Sequence, residues 1–174
     1  MDPDRRPQSF EELYERECTY VWATLRRLGV RESDIEDVAH DLFLAVYRRL
    51  SELDPTRPVR PWLFGFCYRF ASDHRKRAHI RREVAVESLE HSAHPGTSDA
   101  IEARALVLRA LDTLDLDRRA VIVAHDIDGW TIPEVAASLG IPLNTAYSRL
   151  RLARADFEAA VRRFETIGRR GAGT

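Results

Sequence analysis

Helical spacing runs through almost every ordered stretch of this chain, and period-two alternation is nearly absent. Its apolar faces must therefore be buried by helices packing on helices. Ser9 and Glu12 have the spacing of a capping box, which satisfies two orphan amides at a helix start. Apolar residues follow at Phe10, Leu13, Tyr14, Cys18, Val21, Trp22, Leu25 and Leu28, and Gly29 closes the run. Ser33 and Glu36 repeat the box ahead of a second stripe: Ile35, Val38, Ala39, Leu42, Phe43, Val46, Tyr47 and Leu50. The run Asp54-Pro55-Thr56-Arg57-Pro58 breaks the pattern. A third helix is expected from about Pro61 to Arg77 or beyond, with Trp62, Leu63, Phe66, Cys67 and Phe70 inward.

These three helices need only one another to hide their stripes, so residues 9–82 read as one small bundle after a disordered 1–8. Residues 83–100 read as a flexible, acidic linker. Between Glu83 and Ala103, five acids meet no lysine or arginine, and the His91–Thr97 stretch has no period. Helical spacing resumes near Ser98, with Ile101, Ala105, Leu108 and Leu111 on one face, and a further helix is expected over about Asp117–His125. Residues 101–166 form the second domain and 167–174 a disordered tail. The predicted fold class is all-α: two small helical domains, a three- to four-helix bundle and a C-terminal helix-turn-helix, joined by a flexible linker.

The helix-turn-helix spans Thr131–Arg154. Thr131 and Glu134 make a third capping box, Pro133 suits the first turn, and Ile132, Val135, Ala136 and Leu139 point inward. Gly140 supplies a left-handed turn, Ile141 plugs the corner, and the second helix buries Ala146, Leu150 and Ala153. Its other face carries Asn144, Thr145, Tyr147, Ser148, Arg149, Arg151 and Arg154, with no acid among them. A recognition helix presents its N-terminal residues to base edges in the major groove while flanking cations hold phosphates. Asn144, Thr145, Tyr147 and Ser148 are the base-edge candidates, Arg149 suits either role, and Arg151 and Arg154 suit phosphate. A plain helical hairpin with a solvated basic face is the bland alternative.

The formal net charge is −1, so no global field draws the chain to nucleic acid and the placement of charge must do so. A second basic cluster lies between Arg60 and Arg82: Arg60, Arg69, Arg75, Lys76, Arg77, Arg81 and Arg82 against the single acid Asp73, with His74 beside it. Trp62, Phe64, Phe66, Tyr68 and Phe70 are interleaved there, a combination that suits a surface on which unstacked bases lie. Phe66 and Phe70 read as core; for Trp62, beside Arg60, core and surface readings are equally open. The acids Asp34, Glu36, Asp37 and Asp41 favour the positive end of their own helix, or offer a partner a negative patch.

No nucleophile or metal-ligand set accompanies these acids, so neither an enzyme nor a cofactor is expected. Cys18 and Cys67 read as small buried hydrophobes. No apolar run approaches the roughly 20 residues of a membrane helix, and Met1–Gln8 is no signal peptide. Direct membrane insertion is not expected, and a cytoplasmic location is.

The order of these parts resembles the extracytoplasmic-function sigma factors, small bacterial initiation factors that keep sigma regions 2 and 4. The resemblance covers about Phe10 to Asp156. Ser33–Leu44 resembles region 2.2, which docks on the clamp helices of the largest subunit of core RNA polymerase. It implies polymerase contacts at Asp34, Asp37, His40 and Asp41, with His40 standing where the family usually has glutamine. Arg60–Phe64 and Ala71–Arg77 are similar to regions 2.3 and 2.4, which recognise and open the −10 element. The resemblance thereby implies promoter contacts at Arg60, Trp62, Arg69, Asp73, His74, Arg75, Lys76 and Arg77. Pro61 replaces a frequent alanine there and Gly65 a common arginine. The helix-turn-helix is similar to region 4.2, which binds the −35 element; Tyr147 and Leu152 replace a frequent lysine and arginine. An anti-sigma factor is a further expected partner. The rival readings are a helix-turn-helix regulator that binds duplex DNA without polymerase, and a hydrolase built on the acidic helix and its histidine.

Overall fold

The computed structural model describes residues 9–54, 56–84 and 99–171, and among them every regular element is helical. The expectations for residues 1–8 and for most of the linker fall outside the described residues. Helix α1 is Phe10–Arg27, α2 Ile35–Arg48 and α3 Val59–Val84; then come α4 Asp99–Asp112, α5 Leu116–Ile122, α6 Ile132–Leu139 and α7 Leu143–Gly171. The first three pack on one another, and α7 packs on α4, α5 and α6.

The N-cap of α1 forms as expected, with the Ser9 hydroxyl oxygen accepting from the Glu12 amide at 3.2 Å. The start of α2 differs. A 3-10 turn over Glu32–Asp34 precedes it, Asp34 occupies the cap position, and the Ser33 hydroxyl donates to Asp34 at 3.0 Å. The tight turn moves Ser33 out of reach of the amides it was expected to cap. Helix α7 continues to Gly171, past the expected boundary at 166. A glycine inside an established helix costs only about 1 kcal/mol, too little at Gly168 to end it.

The two halves pack against each other. One cluster of buried side chains runs from Leu13, Val21 and Leu25 through Leu63, Phe64 and Cys67 to Val121, Val135, Ala146 and Leu150. Helix α6 packs directly on α3. A π-turn over Val123–Ile127, closed by the Asp128 amide on the Val123 carbonyl at 3.0 Å, throws Trp130 edge-on against Phe64, with centroids 5.1 Å apart. The Tyr20 hydroxyl donates to Asp128 at 2.9 Å, and Arg27 pairs with the same carboxylate at 3.2 Å. Burial raises the Asp128 pKa above its ordinary value, opposed by the Tyr20 hydrogen bond and by Arg27 and Arg60.

A buried cation also joins the halves: Arg119, whose residue exposure is 2%. Its guanidinium donates to the Arg27 carbonyl at the end of α1 and pairs with Asp112 at 2.7 Å. Gly29 has φ +91, and a Cβ there would stand 2.8 Å from Nη1 of Arg119. Gly140 has φ +65 with nothing within 4 Å of the equivalent position. A left-handed non-glycine residue costs about 1 kcal/mol or somewhat more. In chemical denaturation, Gly140→Ala is expected to cost that backbone term alone. Gly29→Ala is expected to cost ~1 kcal/mol more than Gly140→Ala, because the new methyl displaces a buried cation. Equal losses would refute the steric role assigned to Gly29.

Candidate nucleic-acid interface

Helix α6 starts on a closed capping box: the Thr131 amide donates to the Glu134 carboxylate at 2.8 Å and the Thr131 hydroxyl at 2.7 Å. These bonds hold the Glu134 carboxyl below its ordinary pKa. At the other end Gly140 is left-handed, and the Ile141 amide reaches the Ala136 carbonyl at 3.0 Å. Buried Ala146, Leu150 and Ala153 fix the rotation of α7. Asn144, Tyr147, Ser148, Arg151 and Arg154 consequently face solvent, with Thr145 and Arg149 half-buried.

The recognition face is acid-free in sequence but not in space. Asp117 of α5 pairs with Arg149, and Asp126 of the π-turn takes Arg154 in a two-pronged bond of 2.9 and 2.5 Å. The Arg154 hydrogen bond leads the causes that hold the Asp126 carboxyl below its ordinary pKa. Of the three arginines, only Arg151 lacks an acidic partner among the described residues. Both acids lie about thirty residues upstream in the chain, where no helical spacing could reveal them.

Region 60–77 divides differently from the sequence reading. Arg60 bonds the buried Glu17 at 2.9 Å and lies over the Tyr20 ring at 4.9 Å, so it holds α3 to α1. Phe64 and Phe66 are core, and Trp62 is half-buried, edge-on to Phe66 at 4.9 Å. His74, expected on the DNA surface, is buried instead, and its Nε2–H donates to Asp34 at 2.7 Å. The cause is the approach of the α2 start to α3, which brings Asp34 over the imidazole. Arg69, Lys76 and Arg77 are exposed, Arg75 is half-buried, and Asp73 is exposed 3.8 Å from Lys76. The Tyr68 hydroxyl donates to Asp117 at 2.5 Å, and burial together with that carboxylate raises its pKa to about 12.

The spacing of the aromatics explains their fate. Every-second residues on a helix step by roughly 200°, so they ring α3 rather than line one face, and an apolar ring is buried on two sides. One side of α3 meets α1 and α2; the other meets α6 and Trp130.

On α2, Asp37, His40 and Asp41 are exposed, as a docking face requires. Asp34 is committed to Arg31 and His74; their hydrogen bonds and that of Ser33 outweigh its burial and leave its pKa lowered. Beside the exposed acids lies a groove of about 400 Å³ lined by Phe10, Tyr14, Trp22, Phe43 and Leu44 together with Glu36, Asp37 and His40. Tyr14, Trp22 and Leu44 are each more than 40% exposed there, which assigns the first two to surface rather than core. Their stripe is wider than one helix contact can cover, and that width was the available signal.

Residues 13–81 match Sigma-70 region 2, and residues 104–157 match Sigma-70, region 4. Among curated proteins the chain is 32% identical over 167 residues to the RNA polymerase sigma factor CnrH of Cupriavidus metallidurans, covering 87% of this chain and 86% of that one. It is 30% identical over 145 residues to the extracytoplasmic-function sigma factor SigL of Mycobacterium tuberculosis, covering 81% and 82%. The fold matches CnrH in complex with the cytosolic domain of CnrY at TM-score 0.61 and 30% identity, over 91% and 96% of the two chains. It also matches the sigma factor RpoE bound to the anti-sigma factor NepR from Bartonella quintana at TM-score 0.73 and 21% identity, over 88% and 96%. With both regions present in order, the chain belongs to the sigma-70 family, among its extracytoplasmic-function members.

Proposed function

We propose that this chain is a dissociable, non-catalytic promoter-specificity subunit of bacterial RNA polymerase, acting in the cytoplasm. The observation that carries the reading is the separation of its surfaces. A partner-sized acidic and aromatic face lies on α1 and α2, and a groove-sized polar face with Arg151 lies on α7. Asp37, His40 and Asp41, with the groove beside them, dock on the clamp helices of the core enzyme. Arg69, Lys76 and Arg77 hold the backbone around the −10 element, and Trp62 supports strand opening by offering a ring to an unstacked base. Asn144, Thr145, Tyr147 and Ser148 read the −35 element in the major groove, with Arg149, Arg151 and Arg154 on base edges or phosphate.

The near-neutral charge suits this division of labour, since a free factor that gripped any duplex would be lost to nonspecific sites. The relatives CnrH and RpoE were solved with CnrY and the anti-sigma factor NepR. That supports control of this chain by an anti-sigma partner of its own.

Runoff transcription with purified core polymerase on genomic promoter fragments tests the proposal. Specific transcripts that require the added chain are expected. Their absence, with tight specific binding to duplex in the absence of core, would favour a conventional regulator. Arg149→Ala is expected to weaken promoter binding by the holoenzyme roughly 10-fold or more while leaving core affinity unchanged. Equal loss of both would count against its role at the DNA. Trp62→Ala should spare duplex binding and slow opening. Unchanged permanganate reactivity in the open complex would return Trp62 to a purely packing role.

A further inference from the structure

The first turns of α7 carry an apolar row that is left out of the core. Leu143 and Tyr147 are 45% and 54% exposed. Neither belongs to the buried cluster or to the hydrophobic side chains packed against it. They stand four residues apart, so their side chains are neighbours on one face of the helix, and Arg151 continues the row one turn later. The rotation of α7 is set from the opposite side, where Ala146, Leu150 and Ala153 are buried. Asn144 and Ser148 lie beside the row and are exposed. The Ser148 hydroxyl donates back to the Thr145 carbonyl at 2.9 Å, which leaves its oxygen to act outward as an acceptor. Tyr147 is also one of the positions at which the sequence departs from the pattern it otherwise resembles.

The leading turns of a recognition helix face base edges. Every base pair offers donors and acceptors on the floor of the major groove, but only one base offers an apolar group, the C5-methyl of thymine. A leucine pressed on a G·C pair would strip water from polar edges and return no hydrogen bond. The same side chain pressed on a thymine methyl removes apolar surface from water on both partners.

We propose that Leu143 and Tyr147 form a methyl-reading pair, and that the upstream element bound by α7 has a thymine where the pair lands. Leu143 thereby joins the residues that set promoter specificity, although it carries no polar atom in its side chain. Tyr147 acts through its ring rather than its hydroxyl. Asn144, on the adjoining row, matches the N6 and N7 pattern of an adenine. The inference rests on the reading of α7 as the helix that binds the −35 element, and it adds the identity of a base to that reading.

Exchange of thymine for deoxyuridine tests it, because the exchange removes the methyl and keeps every hydrogen-bonding group. Holoenzyme reconstituted from core polymerase and the full chain selects duplexes from a random pool. The selected upstream element is then remade with deoxyuridine at each of its thymines in turn. At one position the exchange is expected to weaken holoenzyme binding about 4-fold, the worth of one buried methyl group. The double variant Leu143→Ala, Tyr147→Ala is expected to bind the thymine and deoxyuridine duplexes equally. Both side chains are exposed, so its far-UV circular dichroism should match that of the wild type. Tyr147→Phe is expected to keep the wild-type preference for thymine. Three results each overturn the proposal: a wild type indifferent to every exchange, a thymine preference that survives in the double variant, or one lost in Tyr147→Phe. A selected element without thymine does the same and leaves the −35 reading intact. A selection that yields no shared upstream element would remove that reading, and this inference with it.

Discussion

A guanidinium removed from water must find acceptors or cost several kcal/mol, and Arg119 finds them at the end of a helix in the other domain. The carbonyls that close α1 have no partners within their own helix, and they sit at the negative end of its dipole. One buried cation therefore answers two needs, capping α1 and anchoring α5. Burial depresses the Arg119 pKa, and Asp112 opposes that by favouring the charged form. Gly29 follows from the same contact, since its backbone must turn left-handed while its missing side chain leaves room for the cation.

The contact between the halves is polar as well as apolar. Tyr20, Arg27, Asp112, Asp117, Asp128 and Ser138 all place polar atoms in or around it. Polar groups regain hydration when surfaces part, so each of these bonds adds only about 1 kcal/mol net. Burial pushes both the Tyr20 hydroxyl and the Asp128 carboxyl upward.

The helices themselves were legible because 3,4 spacing, glycine stops and capping residues state a helix locally. The Thr131 box, the Gly140 turn and the inward Ala146, Leu150 and Ala153 appear in the structure where their spacing placed them. Errors arose where distant segments meet. Ser33 lost its cap to a 3-10 turn that its own sequence does not announce. His74 was buried by Asp34, forty residues earlier, and Arg60 was drawn to Glu17, forty-three residues earlier. The alternating aromatics of α3 contained the missing information. A helix ringed with large apolar groups is packed on two sides, and residues 9–82 cover only one of them.

The ion pairs on α7 have a consequence for how the chain samples DNA. Arg149 and Arg154 do not wait in water; each is already held by an internal acid. Engaging a duplex is then an exchange of one anion for another, and only the difference counts as attraction. An exposed pair such as Arg154–Asp126 is worth at most about 1 kcal/mol, so it lowers random-sequence affinity by up to roughly 5-fold, and the half-buried Arg149–Asp117 pair adds to that. The same acids keep the guanidinium groups ordered, which reduces the entropy lost when a matched site takes them over. Arginines leashed in this way discriminate by lingering only where the rest of the helix also fits.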